Sequence, residues 1–306
     1  MTDDAHARPP GLPAPPPLGA AALPAGTFAG RVVLVTGGGS GLGKAIAAEF
    51  ARLGADLLIV GRTAERLAAA REELAAVAGT RVATGVCDIR EPERVAAVFE
   101  ACEAELGARP DVLVNCAAAN FPVPAEDLSP NGWRAVVDIT LTGTWFMTRE
   151  FGRRHLAAGT PGSVVNVGAS YAWTGGPGHA HSAAAKAGVK NLTETLAVEW
   201  GPYGIQVNGL VPGLMPHGDM VAGIRANLDR APGGLDARQP ALRVGHPREL
   251  GWAATFLASP YARFVSGHTL VVDGANWQRR SPVNETVVPV RTQLGRGRFG
   301  AAPDGG

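Results

Sequence analysis

From Arg31 onward, apolar and polar positions fall into two alternating textures. Short runs rich in valine, leucine and isoleucine occur at 32–36, 56–60, 81–86, 112–115, 163–167, 205–210 and 269–272. Apolar runs of this length, without strict polar alternation, suit strands buried on both faces. The stretches between them suit helices, clearest at 42–53, 64–77, 92–106, 133–157 and 181–200. Pro92, behind Glu91, marks a helix start, where its missing N–H costs nothing. The alternation predicts an α/β fold: a parallel sheet of seven strands with helices on both faces.

Composition narrows the setting. The 306 residues carry 28 basic and 27 acidic side chains and no basic stripe, so nucleic acid or an anionic membrane finds no electrostatic counterpart. Apolar segments are spread evenly, which predicts one domain over 27–280. Residues 1–26 are rich in proline and alanine and lack an apolar stretch, unlike a signal peptide or anchor, and read as a disordered extension. Residues 281–306 read as a tail or an arm against a neighbouring subunit. Cys87, Cys102 and Cys116 form no C-x-x-C pair and have no histidines at ligand spacing, so no metal site is expected, and reduced thiols fit a cytoplasmic setting. The irregular region 212–245 has four prolines and is too long for an ordinary connection; it reads as a cover over a ligand.

Candidate chemistry begins at Thr36-Gly-Gly-Gly-Ser-Gly-Leu-Gly43, which closes the first strand and opens the first helix. Gly37, Gly39, Gly41 and Gly43 let the backbone turn tightly against a pyrophosphate, and the amides of Ser40 and Leu42 at the helix start attract its charge. This is the cradle of a Rossmann-type, doubly wound domain. After the second strand, Gly61 supplies no acid for a bare ribose, whereas Arg62 offers a guanidinium for a 2′-phosphate, with Ser40 as a second donor. NADP(H) is therefore expected over NAD(H), unless Arg62 is simply a solvated strand-end residue. Asp88 and Ile89 beyond the third strand, Asn115 and Ala117 at the fourth, and Pro212, Gly213 and Met215 at the sixth complete the expected cofactor crevice.

The glycine turn, the 115–118 element, the helix with Lys186, Pro212-Gly213 and Val272-Asp273-Gly274 follow the order of the short-chain dehydrogenase/reductase family, which the chain resembles over about 30–277. That resemblance implies strand order 3-2-1-4-5-6-7. It also implies a homodimer or homotetramer built on the helices at 133–157 and 181–200. Three of the family's four catalytic positions are altered: Ala169 replaces the serine, Thr140 the asparagine and Ser182 the tyrosine, leaving Lys186. These departures resemble those of the 2,4-dienoyl-CoA reductases. The matching segments are Asn115-Cys-Ala-Ala-Ala-Asn-Phe121, with Ala119 departing at a glycine, Cys87-Asp-Ile-Arg90, Leu128-Ser-Pro-Asn131 and Ser182-x-Ala-x-Lys186, with Tyr171 fifteen residues before the lysine.

The resemblance makes Tyr171 the proton-donating phenol, Asn120 its partner on a thioester carbonyl, Ser182 an auxiliary donor and Lys186 the ribose anchor. Arg90 and Phe121 would border an acyl thioester substrate. An NADPH-dependent reductase of a conjugated enoyl or dienoyl thioester is the leading expectation. Two others stay open: an alcohol or ketone oxidoreductase with an atypical catalytic set, and an NADP-binding protein without turnover. In the first of these Tyr171 swings into the vacant space beside Ser182; residue by residue, the alternatives are Tyr171 as a packing residue, Asn120 as a loop cap and Ser182 as a helix cap. His179 and His181, flanked by Gly178 and Ala180, read as parts of a flexible loop.

Overall fold

The computed structural model describes residues 12–17, 19–218, 235–236, 239–278 and 290–296. Its seven strands are β1 (Val32–Thr36), β2 (Asp56–Gly61), β3 (Val82–Val86), β4 (Val112–Asn115), β5 (Gly162–Val167), β6 (Ile205–Pro212) and β7 (Thr269–Val272). All pairs are parallel, in the order β3-β2-β1-β4-β5-β6-β7. Each expected strand is present, with ends shifted by at most two residues.

Side-chain alternation explains the two helical layers. Val33 and Val35 of β1, with Leu57 and Ile59 of β2, pack beneath α1 (Gly41–Arg52) and α2 (Ala64–Ala78), in one apolar cluster with Ile46, Phe50 and Leu67. Val32, Leu34, Leu58 and Val60 point the other way, toward Phe99 of α3 (Pro92–Leu106) and a second cluster. Both faces of the sheet are thus dry.

The long helix expected at 133–157 begins earlier and is not regular. α4 (Pro130–Val137) starts with Ser129 accepting from the Gly132 amide, and a π-helical turn at Asp138–Thr142 separates it from α5 (Gly143–Ala158). A π turn inserts one extra residue and is set by no particular residue type, so composition does not mark it. It brings Thr140 against the loop after β4: the Thr140 hydroxyl accepts from the Ala119 amide at 3.3 Å. Gly143 lets this bulged segment approach Ile89, whose Cγ1 would lie 2.6 Å from an added Cβ.

Beyond β5 come the short α6 (Tyr171–Thr174) and the long α7 (Ala180–Trp200), and α8 (Pro247–Ala258) precedes β7. The described part of the proline-rich extension runs along α8: the carbonyls of Pro13, Pro16 and Ala20 accept from Arg243, Arg248 and Trp252. A last element, α9 (Val290–Gln293), is anchored by Arg291 to Glu126 and Asp127. Most of the expected cover at 212–245 lies outside the described residues, as do 1–11, 279–289 and 297–306. Among the described residues no helix is long and apolar enough to cross a membrane.

Candidate active site

Because all strands are parallel, their carboxyl ends share one edge. The order reverses direction between β1 and β4, so a crevice opens there. Thr36 stands level with Val60 and with Asn115. Its hydroxyl accepts from the amides of Cys116 and Ala117, which tucks the β4 loop beside the glycine turn.

The turn is tight where the sequence demands it. Gly37 has φ +68°, and a Cβ there would lie 3.2 Å from the Ala117 backbone; at Gly43 it would fall 2.3 Å from the Gly37 carbonyl oxygen. Ser40 caps α1 in extended conformation without a side-chain capping bond, so its hydroxyl can face an anion at the helix start. A cleft of about 360 Å³ opens beside it, lined by Gly37, Gly39, Ser40, Arg62, Asp88 and Ile89, with Ala117 at its inner wall. These residues fit a dinucleotide.

Four expectations change on inspection. Asn115 is buried and turned inward, its amide donating to Thr148 and to Asn166, so it ties β4 to α5 and β5 rather than lining the cleft. Met215 is part of the apolar core beneath the sheet. Asp88 does not stand free for an adenine: Arg90 grips both its oxygens, and those bonds hold the carboxyl down at about 2. Arg90 is thus paired with Asp88, its side chain still partly exposed. Pro212 ends β6, and Gly213 lies with Met215 along a separate hollow of about 310 Å³ near Trp277.

Sequence reasoning missed Arg66, which lines the cleft from the first turns of α2. Position held the signal, since Arg66 falls in the first turn of the helix that follows Arg62. It also missed His217, whose ring lies against the first turn of α1, 2.9 Å from where a Cβ on Gly41 would be.

The expected catalytic residues do converge. Ser182 and Lys186 are one turn apart on α7, both buried. The Tyr171 hydroxyl lies 3.0 Å from Ser182 Oγ. Lys186 Nζ donates to the carbonyl of Val167 at the end of β5. Burial pushes the Lys186 ammonium down to about 8 and the neighbouring Cys116 thiol up to about 11. Burial also raises the Tyr171 phenol, which the Ser182 bond partly offsets. On the other side, Asn120 Oδ1 lies 3.1 Å from Nδ1 of His179, whose ring stacks on Tyr171 with centroids 6.2 Å apart. Phe121 packs edge-on against His181 at 4.5 Å. The two histidines are therefore not on a loose loop: His179 caps α7, and His181 is wholly buried in its first turn. A parallel sheet, a glycine cradle and a buried lysine on the helix after β5 now stand together.

A family model described as Enoyl-(Acyl carrier protein) reductase matches residues 37–275, most of the chain. The chain belongs to the short-chain dehydrogenase/reductase family. It is 38% identical over 255 residues to a Bacillus subtilis protein named as a probable 2,4-dienoyl-CoA reductase, covering 82% of this chain and 98% of that one. It is also 38% identical over 252 residues to the peroxisomal 2,4-dienoyl-CoA reductase of Mus musculus, covering 81% and 84%. Among solved structures, the gluconate 5-dehydrogenase of Burkholderia cenocepacia, in complex with NADP and tartrate, matches with a TM-score of 0.75 at 32% identity, over 83% of this chain and 97% of that one. As a short-chain dehydrogenase/reductase the protein is an oxidoreductase. Within that family frame, the position four residues before Lys186 holds Ser182, and the phenol beside it comes from α6 instead.

Proposed function

We propose that the protein is an NADPH-dependent reductase of a conjugated enoyl or dienoyl thioester. One observation carries this reading: the Tyr171 hydroxyl, supplied from α6, bonds Ser182 Oγ beside the buried Lys186. A phenol is thereby retained at the strand edge although it comes from another backbone position. The names of the Bacillus subtilis and Mus musculus relatives support the substrate class.

In this reading the glycine turn and Ser40 hold the pyrophosphate, Arg62 and Arg66 the 2′-phosphate, and Lys186 the ribose next to the nicotinamide. NADPH, when bound, supplies the hydride. Addition at the far end of a conjugated thioester moves negative charge onto the carbonyl oxygen. Tyr171 and the Asn120 amide would donate to that oxygen, and preorganised donors of this type contribute about 3–4 kcal/mol each to the transition state. Ser182 fixes the phenol's direction. Lys186, one turn along α7 from Ser182, would as a cation favour the proton leaving the phenol for the substrate carbon.

Incubation of the purified protein with NADPH and 2,4-dienoyl-CoA of several chain lengths, followed by absorbance, should consume both. Oxidation of NADPH with simple ketones but with no dienoyl thioester would assign it to carbonyl reduction. The exposed Trp133, Trp145 and Val198 on α4, α5 and α7 support a homodimer or homotetramer through those helices, checked by light scattering. A cytoplasmic setting belongs to the same reading and is checked by cell fractionation.

A further inference from the structure

Two loops meet at His179, and neither the cofactor cradle nor the proton donors account for it. Its backbone is fixed: the amide donates to the Gly176 carbonyl, and the carbonyl accepts from Ala183. The preceding Gly178 carbonyl accepts from the Val123 amide, which ties this loop to the one carrying Asn120 and Phe121. From that position the ring reaches two groups at once. Nδ1 lies 3.1 Å from Asn120 Oδ1, and the ring plane lies 15° from that of Tyr171.

The tautomer follows from the partners. Burial, helped by His181, lowers the basicity of His179, so the ring is neutral near pH 7 and carries a single N–H. Asn120 Oδ1 is an acceptor, so the N–H lies on Nδ1 and faces it.

An asparagine amide has a donor end and an acceptor end of nearly equal size. Rotation by half a turn would present Oδ1 in place of Nδ2. A donor to an oxygen gathering negative charge would then become an acceptor that repels it. Holding Oδ1 from behind prevents that rotation. Among the described residues no protein acceptor engages Asn120 Nδ2, which leaves it for a ligand.

We infer that His179 is a positioning residue: its Nδ1–H holds the Asn120 carbonyl so that the amide N–H₂ faces the thioester oxygen, while its ring supports Tyr171. This rests on the thioester reading for the identity of the oxygen, but the His179–Asn120 bond itself does not depend on the substrate.

Two measurements separate those levels. In steady-state kinetics with 2,4-dienoyl-CoA, His179→Phe keeps the stacked ring and loses the donor. It should lower kcat about tenfold or more, as a mis-aimed group does, with NADPH affinity and thermal midpoint unchanged. His179→Gln, which can still donate, should restore most of kcat. In an Asn120→Ala background, His179→Phe should cost nothing further. The same loss in both backgrounds would overturn the inference. Independently of turnover, the Asn120 side-chain amide resonance, assigned by its loss in Asn120→Asp, should shift in His179→Phe and return toward its original place in His179→Gln. An unmoved resonance would also overturn it. A wild-type protein inert toward every dienoyl thioester would reject the proposed substrate and leave the resonance test standing.

Discussion

Tyr171 and Ser182 are eleven residues apart, yet their hydroxyls lie within 3.0 Å of each other. The short α6 carries the phenol across the end of β5 to meet the first turn of α7. A single neutral hydrogen bond contributes about 1 kcal/mol, so its role is aim more than strength. Tyr171→Phe should therefore lower kcat by about 100- to 1000-fold, as loss of an oxyanion donor does. Ser182→Ala, which only releases the phenol, should cost about fivefold to tenfold, the equivalent of one such bond. NADPH titration by fluorescence should show unchanged affinity in both variants.

Lys186 sets a pH limit. Burial lowers it from the ordinary 10.5 to about 8, so its charge is present below that pH and lost above it. If the cation is needed beside Tyr171, kcat should fall as pH rises through about 8, which a pH–rate profile reads directly. Stability runs the opposite way. Between about 8 and 10.5 the unfolded chain holds a proton on Lys186 that the folded protein has released, so this residue opposes folding below pH 8, and its cost fades as pH rises toward 10.5. Lys186→Met should thus raise the thermal midpoint at pH 6, gain progressively less above pH 8, and abolish activity throughout.

Much of this was legible in the chain. Apolar runs fixed the strands because a parallel sheet with two covered faces tolerates little else, and the glycine turn marked its own place by steric demand. Less legible were features set by side-chain partners. Asp88 follows β3 where an adenine contact would sit, but nothing local says that Arg90, two residues on, will bind it. Asn115 sits at the crevice edge in sequence, while its amide is claimed by Asn166 and Thr148 from distant segments. The π turn at Asp138–Thr142 is marked by no particular residue type, and His179 meets Asn120 only where the loops at 120 and 178 come together.

Cofactor choice should divide between two arginines. Arg62 just after β2 and Arg66 in the first turn of α2 line the same cleft, and Gly61, which ends β2, carries no carboxylate to hold a bare ribose. Bonds to a charged group contribute about 1.5–3 kcal/mol each. Arg62→Ala and Arg66→Ala should each weaken NADPH binding by about 10- to 100-fold, leaving NADH binding nearly unchanged. Equal loss for both nucleotides would show that the arginines support the loop and do not read the 2′-phosphate. Calorimetric titration of each nucleotide decides between these outcomes.

The C-terminal α9 should matter to the acyl thioester more than to stability. Arg291 Nη1 lies 2.9 Å from Asp127 and 3.1 Å from Glu126, on the segment that follows Asn120 and Phe121. Val290 and Leu294 lie over Gly178, at 3.5 and 3.8 Å from where its Cβ would be, on the loop that carries His179. One short helix thus spans both loops that hold the proposed oxyanion donors. Solvent-exposed ion pairs of this kind contribute little to stability, so Arg291→Ala should leave the thermal midpoint within a few degrees. Released from those carboxylates, α9 should become the first site of limited proteolysis, and KM for the dienoyl thioester should rise while NADPH affinity holds. A variant that is nicked faster at α9 with KM unchanged would show that this helix covers the two loops without contributing to the substrate site.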